Sequence, residues 1–372
     1  MRILFICGSL ESGSDGVGDY TKRLATEIIK KNHEVAILAI NDQFINTKIE
    51  RTELVDSFQL LVYRIPSNLT STIRYEIANL WIDNFSPEWL SLQYVPFSFN
   101  SKGIPLELHK GLSKFSIGGR RWHIMFHELW VGMEKNSTFK YKIWGGIQKF
   151  LIKKLIKKLN PSLITTQTGL YQIQLKKLGY SAKYLPLFSN IPLMHPYIFK
   201  SNSNNYKKIT FVNFGTIHPG APIESFAKEA ALYKQKKGIE FDLILIGRSG
   251  KEQSHWETVW KLAGLNIITL GEQSIDRISE VFNTATFGIS STALPIIEKS
   301  GSVAAMHEHN LPVICISKPW YPAGIKNLPI AKGVIYYLSG NFEVCLTKEI
   351  TVNYTDISLV SKQLLDSFSS FN

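Results

Sequence analysis

Arg2-Ile-Leu-Phe-Ile-Cys7, followed by Gly8-Ser-Leu-Glu-Ser-Gly13-Ser-Asp-Gly16-Val-Gly18-Asp-Tyr20, is the stretch on which the fold of this chain turns. A short unbroken apolar run closed by glycine reads as a strand covered on both faces, and such strands belong to parallel sheets. After the glycines, residues 20–31 carry Leu24, Ala25, Ile28 and Ile29 at the spacing of a helix packed on a sheet, and residues 33–40 form a second apolar run. The same rhythm continues outward, with strands at 60–65, 89–94, 122–126 and 162–166 and helices at 71–85, 141–159 and 170–177. It breaks between Tyr180 and Lys207, where Leu185-Pro-Leu-Phe-Ser-Asn-Ile-Pro192 gives way to a polar, asparagine-rich segment. A second series has strands at 209–214, 241–246, 267–270, 286–289 and 312–316, with helices at 224–235, 254–263, 275–283 and 302–308. Strands alternating with helices mean doubly wound α/β domains. The expected organisation is a first domain over 1–185, a linker over 186–207, a second domain over 208–350, and a helical segment over 351–372 that crosses back to the first domain.

Composition bounds the function. At 372 residues the chain is too long for one core, and with 44% hydrophobic and 19% charged residues it is ordinary globular protein rather than disordered chain. Cys7, Cys315 and Cys345 sit in apolar runs without metal-binding spacing, so neither a disulfide scaffold nor a zinc module fits, and a reducing compartment is expected. The net charge of +12 implies an anionic partner: nucleic acid, acidic lipid or a phosphorylated substrate. No nucleic-acid recognition motif accompanies the charge, so no nucleic-acid partner is expected. No apolar run approaches the roughly 18 residues of a membrane span, and residues 3–7 are too short for a signal peptide. A cytoplasmic protein is expected, peripheral on the inner membrane face.

Two segments are equipped to hold an anion. The glycine-rich loop at 8–18 joins strand to helix, where backbone N–H groups and a helix N-terminus meet a ligand. Its spacing, Gly13-x-x-Gly16-x-Gly18, is not the dinucleotide G-x-G-x-x-G, although Asp42 follows the second strand where a ribose-binding carboxylate would stand. A plain surface loop is the other reading. The second segment, Glu298-Lys-Ser-Gly-Ser302 before the apolar Val303, Ala304 and Met306, opens a helix with free N–H donors beside the Lys299 charge, and a pyrophosphate would fit there. Alternatively, Ser300 or Ser302 merely caps that helix.

In these motifs the chain resembles the GT-B glycosyltransferases, particularly glycosyltransferase family 4 and its bacterial relatives. Asp15-Gly-Val-Gly-Asp-Tyr-Thr21 looks like that family's glycine loop, Phe126-His-Glu-Leu-Trp130 like its His-Glu motif after a strand, residues 185–192 like its interdomain crossing, and Gly301-Ser-Val-Ala-Ala-Met306 through Leu311-Pro-Val-Ile314 like its donor helix and following strand. The resemblance implies two Rossmann-like domains facing a cleft, with transfer of a sugar from a UDP- or GDP-linked donor, retention of configuration, and neither metal nor cofactor. It places His127, as a catalytic residue, on the donor sugar or acceptor near the reacting carbon, Glu298, the other catalytic residue, on sugar hydroxyls, and donor contacts at Gly16, Val17, Gly215, Thr216, Gly271, Gln273, Lys299, Ser300, Gly301 and Ser302. A buried histidine bonded to Glu128, and a solvated carboxylate at 298, are the bland alternatives.

The chain also departs from the family. Met306 stands where a second acid would follow Glu298 by eight, and Thr216 stands where the family has arginine, so Arg248 with Lys299 is expected to supply the missing charge. No Asp-x-Asp of a metal-dependent transferase occurs.

The expected helix at 141–159 has an apolar stripe at 143, 147, 150, 151 and 155, and residues 140–159 hold seven lysines, among them Lys149, Lys153, Lys154, Lys157 and Lys158. This suits an anionic membrane surface carrying a lipid-linked acceptor; a charged outer face of an ordinary domain helix is the alternative. The functional expectation is a glycosyltransferase acting on a glycan or lipid-linked acceptor in surface polysaccharide synthesis. A nucleotide-sugar epimerase and a non-catalytic binder of nucleotide sugars or glycans are its rivals.

Overall fold

A computed structural model describes the chain apart from Ser12, Ser14, Asp15, residues 195–206, Ile330, Asn353 and Asn372. The greater part of the expected linker at 186–207 therefore lies outside the described residues. The chain forms two compact units: Met1–Pro186 with Pro322–Gly324 and Ile357–Asn372, and Leu187–Tyr321 with Ile325–Asp356.

The first unit runs β1 (Arg2–Cys7), α1 (Gly16–Ile29), β2 (Glu34–Asp42), β3 (Ile49–Val55), β4 (Phe58–Pro66), α2 (Ser71–Phe85), β5 (Trp89–Tyr94), α3 (Pro96–Phe99), α4 (Leu108–Ser113), β6 (Arg121–Phe126), α5 (Phe139–Leu159), β7 (Leu163–Thr166), α6 (Gly169–Lys177) and β8 (Lys183–Tyr184). Its sheet order is β3-β4-β2-β1-β5-β6-β7-β8. Among the described residues only the β3–β4 strand pair of this sheet is antiparallel. Ile3, Leu4, Phe5 and Ile6 are all at 0% exposure, as a strand covered by helices on both faces requires.

The sequence rhythm did not show β3. Its charged residues, Glu50, Arg51 and Glu53, belong to a sheet edge, where charge discourages pairing with another chain. The turn to β4 is made by Asp56 and Ser57, both at positive φ (47° and 67°), the two-residue hairpin geometry that matches strand twist. A second difference concerns α1, which begins at Gly16 rather than after the glycines. Glycine costs about 1 kcal/mol within a helix. Asp19 in the first turn offsets part of this by facing the positive helix end and by accepting from the Gly13 amide at 3.1 Å.

The second unit runs β9 (Lys208–Phe214), α7 (Ile223–Lys237), β10 (Glu240–Ile246), α8 (Gln253–Leu262), β11 (Asn266–Gly271), α9 (Ile275–Thr284), β12 (Phe287–Ser290), α10 (Gly301–Glu308), β13 (Val313–Cys315), β14 (Val334–Tyr336) and α11 (Phe342–Thr347). Its order, β11-β10-β9-β12-β13-β14, is the wholly parallel doubly wound arrangement with one reversal, between β9 and β12. Alternate residues feed two cores. Phe211 and Ile314 pack with Phe226, Trp256 and Trp260 on one side, and Val212 and Val313 with Phe282, Val303 and Met306 on the other.

The last helix, α12 (Ile357–Ser369), packs in the first unit. Phe368 stacks on Trp89 at 4.2 Å, and Lys31 Nζ donates to Ser358 Oγ at 2.8 Å.

Candidate functional site

In a doubly wound sheet, ligands bind beyond the carboxyl ends of the strands where strand order reverses. In the second unit the chain leaves β9 through Gly215 (φ 78°), β10 through Gly247 (φ 85°), and closes β11 at Gly271 (φ 65°). Glycine takes this left-handed conformation without a Cβ penalty. The Gly247 amide donates to Gly271 O at 2.7 Å and the Gly215 amide to Ile246 O at 2.9 Å, so the three turns lie edge to edge. A Cβ on Gly215 would stand 3.3 Å from Ser302 Oγ, which brings the end of β9 against the start of α10. The His218 amide donates to Ser291 Oγ at 2.8 Å and ties the turn after β9 to the turn after β12.

Glu298 and Lys299, both half-buried, close a 3-10 turn over Leu294–Lys299. Ser300 caps α10, its Oγ accepting from the Val303 amide at 3.4 Å. The capping role is thus real, and it falls to Ser300. It leaves the amides of Gly301 and Ser302 at the positive end of the helix, and Gly301 is exposed, with nothing within 4 Å of where a Cβ would be. Lys299 supplies full charge there. Partial burial, and after it the charge of Lys299, lowers the pKa of His218, a neighbour that the sequence motifs did not single out.

The other expected contacts are placed differently. Arg248 Nε donates to Glu272 Oε1 at 2.7 Å, so its charge is already shared; both groups are well exposed, and such a pair is worth only about 0.2–1 kcal/mol. Gln273 turns its amide back to Leu270 O at 2.7 Å. Thr216 is exposed beside Gly215. Met306, at 0% exposure, packs where a Cβ on Gly288 would meet its Sδ at 2.3 Å. The position eight after Glu298 is therefore core.

In the first unit, Gly16 and Val17 form the first turn of α1, with Thr21 Oγ1 donating to Val17 O at 2.6 Å. His127 follows β6 and is buried; its Nε2 is 2.9 Å from Gln93 Oε1, its Nδ1 3.4 Å from Gln167 Oε1, and Tyr20 meets its ring edge-on at 4.9 Å. Gln93 Nε2 donates to Ser91 Oγ at 2.9 Å, so the oxygen end of that amide faces His127 and takes the proton on Nε2. Ser91 Oγ is 2.8 Å from His123 Nδ1, whose Nε2 is 2.8 Å from Thr165 Oγ1. Full burial, and next the neighbouring His127, lowers the His123 pKa to about 3, so its ring is neutral. This polar thread through β5, β6 and β7 holds His127 on its Nε2 side.

A dinucleotide reading of the first loop fails on Asp42. That carboxylate is at 0% exposure, bonded to Arg64 Nε at 2.6 Å and accepting from the Leu10 and Phe44 amides, so it cannot reach a ribose.

On α5 the expected stripe divides. Leu151 and Leu155 join Ile152, Ile156 and Leu159 in the core, whereas Phe139, Ile143, Ile147 and Phe150 are 40–78% exposed along the opposite face. Lys149, Lys153, Lys154, Lys157 and Lys158 are exposed around that outer line. Lys154 Nζ lies 4.5 Å over the Phe150 ring, and the charges of Lys154, Lys110 and Lys158 depress the His109 pKa after burial does.

Solved structures of the same fold match the chain end to end. The lipopolysaccharide outer core galactosyltransferase WaaB, in its apo form, gives a TM-score of 0.57 at 15% identity over 100% of both chains. HepE of Anabaena, in complex with UDP and glucose, gives 0.59 at 13% identity over 100% of both. A glycosyltransferase of Rickettsia africae gives 0.57 at 10%, over 100% of this chain and 89% of that one. Identity at this level establishes the GT-B fold, two doubly wound α/β units, and no more. No protein-family model matches the chain, and no characterised protein matches it in sequence.

Proposed function

We propose that this chain is a glycosyltransferase, akin to glycosyltransferase family 4, that moves a sugar from a UDP- or GDP-linked donor to a glycan or lipid-linked acceptor at the inner membrane face. The observation that carries the reading is the meeting of Gly215, the α10 start and Lys299 at the strand-order reversal of the second unit. Glycosyl transfer from a nucleotide donor needs growing negative charge stabilised on the departing diphosphate, and preoriented N–H groups, a helix dipole and an ammonium supply that without reorganisation. Gly16 and Val17 at the α1 start, and Thr216, Arg248, Gly271 and Gln273 around the β9–β11 turns, complete the donor contacts in this reading. Glu298 holds sugar hydroxyls. His127, fixed by Gln93, contacts the transferred sugar near the reacting carbon. The fold relative named a lipopolysaccharide outer core galactosyltransferase, and the one holding UDP and glucose, support the substrate class. Retention and metal independence belong to the same proposal.

Calorimetry against UDP, GDP, ADP and their sugars tests it, followed by transfer to isolated glycan or lipid acceptors with and without a chelator. The expected result is micromolar to millimolar binding of one diphosphate and its sugar, with chelator-insensitive transfer and a product anomer matching the donor. Absence of binding to every nucleotide would overturn the proposal. Binding without transfer would favour a non-catalytic binder, the reading that the core position of Met306 supports.

A further inference from the structure

The first unit has its own strand-order reversal, between β1 and β5, and there the structure holds a cavity of about 460 Å³, within the range of roughly 300–1,000 Å³ usual for small-molecule sites. A Cβ on Gly8 would clash with Ser98 O, so the turns after β1 and β5, which carry the lining residues Ser9 and Ser98, touch. Hydroxyls and amides from Ser67, Ser98 and Asn100 line it, with Phe44 and Phe97 among the lining residues, 43% and 40% exposed. Polar groups around exposed rings match a sugar, which presents hydroxyls at its rim and C–H groups on its faces.

Arg74, half-buried, also lines this cavity. Its Nε donates to Leu69 O at 3.1 Å, and its Nη1 to Ile40 O at 2.8 Å and Asn41 Oδ1 at 2.6 Å. All three acceptors are neutral, and among the described residues Arg74 has no ion pair and no bond from Nη2. Glu107, a carboxylate whose charge bears on the Arg74 pKa, accepts from Ser71 Oγ. A guanidinium held rigidly by neutral carbonyls, with one nitrogen to spare, is built to receive an oxyanion.

We propose that this cavity is an acceptor subsite for an anionic sugar, one bearing a phosphate or carboxylate group, with the anion on Arg74 Nη2 and a sugar face against Phe97. The acceptor role rests on the glycosyl-transfer reading; the binding chemistry does not.

The test titrates the full chain with glucose 1-phosphate, glucuronate, glucose and inorganic phosphate at fixed ionic strength, with UDP, GDP and ADP as parallel ligands. At least one charged sugar binds tenfold or more tighter than both glucose and free phosphate, and which of the two it is identifies the anion. Arg74→Gln lowers that affinity at least tenfold and Arg74→Lys restores part of it. Since Arg74 also ties Ile40 and Leu69 together, Gln43→Glu is the second variant: it is exposed in the lining, and its new charge weakens the charged sugar severalfold while glucose is unaffected. Equal binding of charged and neutral sugars, phosphate binding as tightly as the sugar, or charged-sugar affinity indifferent to all three variants overturns the proposal. Failure of all four ligands while UDP, GDP or ADP binds overturns the subsite alone; failure of every nucleotide removes the glycosyl-transfer reading instead.

Discussion

At Lys299 a full charge sits beside the partial charge of a helix start, and removing it isolates one from the other. A charged hydrogen bond contributes about 1.5–3 kcal/mol, so Lys299→Ala should weaken diphosphate binding roughly ten- to a hundredfold by calorimetry. The same substitution should raise the His218 pKa, read by NMR titration, because it removes a charge that lowers it. Gly301→Val should block binding by filling the open space before α10, with the melting temperature little changed. His123 and His307 carry a different signature. Burial lowers their pKa values to about 3 and about 4, below the ordinary value of about 6.5. Above pH 6.5 neither affects stability. As pH falls below it the unfolded chain takes up protons that the folded rings refuse, so stability is lost toward pH 4, at up to about 1.4 kcal/mol per pH unit for each. His123→Asn should flatten that slope in denaturant titrations at stepped pH, whatever it does to stability at pH 7.

On α5 the core face and the outer face make opposite predictions. Leu155→Ala should cost about 2–5 kcal/mol in chemical denaturation, because it empties a buried site. Ile147→Ala should cost almost nothing, yet weaken sedimentation with anionic liposomes. Replacing Lys153, Lys154, Lys157 and Lys158 with glutamine should abolish that sedimentation at low salt, since each lysine near an anionic surface contributes about 1 kcal/mol. Sedimentation indifferent to those four changes would assign the charge to another partner. The helix itself was legible in its sequence, because apolar residues recur at helical spacing all round it. Which apolar residues face inward was not: 147, 150, 151 and 155 all fit a stripe, and only the packing of α5 in the first unit separates 151 and 155 from 147 and 150.

In the whole molecule the two units are doubly wound sheets, yet the first is completed by residues from the far end of the chain. Phe368 of α12 stacks on Trp89 of β5 with both rings at 0% exposure. Phe368→Ala should therefore cost about 3–5 kcal/mol, detected in the unfolding of the first unit. Truncation before residue 357 should lower the melting temperature of that unit further, although 170 residues separate α12 from the unit's main segment.

Most of the longer strands and helices followed from the sequence alone, because buried parallel strands must be apolar throughout and their covering helices must repeat every three to four residues; the short β8, β14, α3, α4 and α11 did not. So did the charge, and the positions of the glycines where strands end. The hairpin strand β3 escaped because an edge strand obeys solubility rather than burial. The Arg248–Glu272 pair, the Gln93–His127 bond and the cavity beside Arg74 were equally invisible. Each depends on residues from separate strands reaching the same end of a sheet, and strand order is set by packing between elements rather than by any local pattern. Arg74 reads as an ordinary helix-surface arginine in sequence; only the neighbouring ends of β1, β2 and β5 make it the one charged group of a polar, aromatic-rimmed cavity.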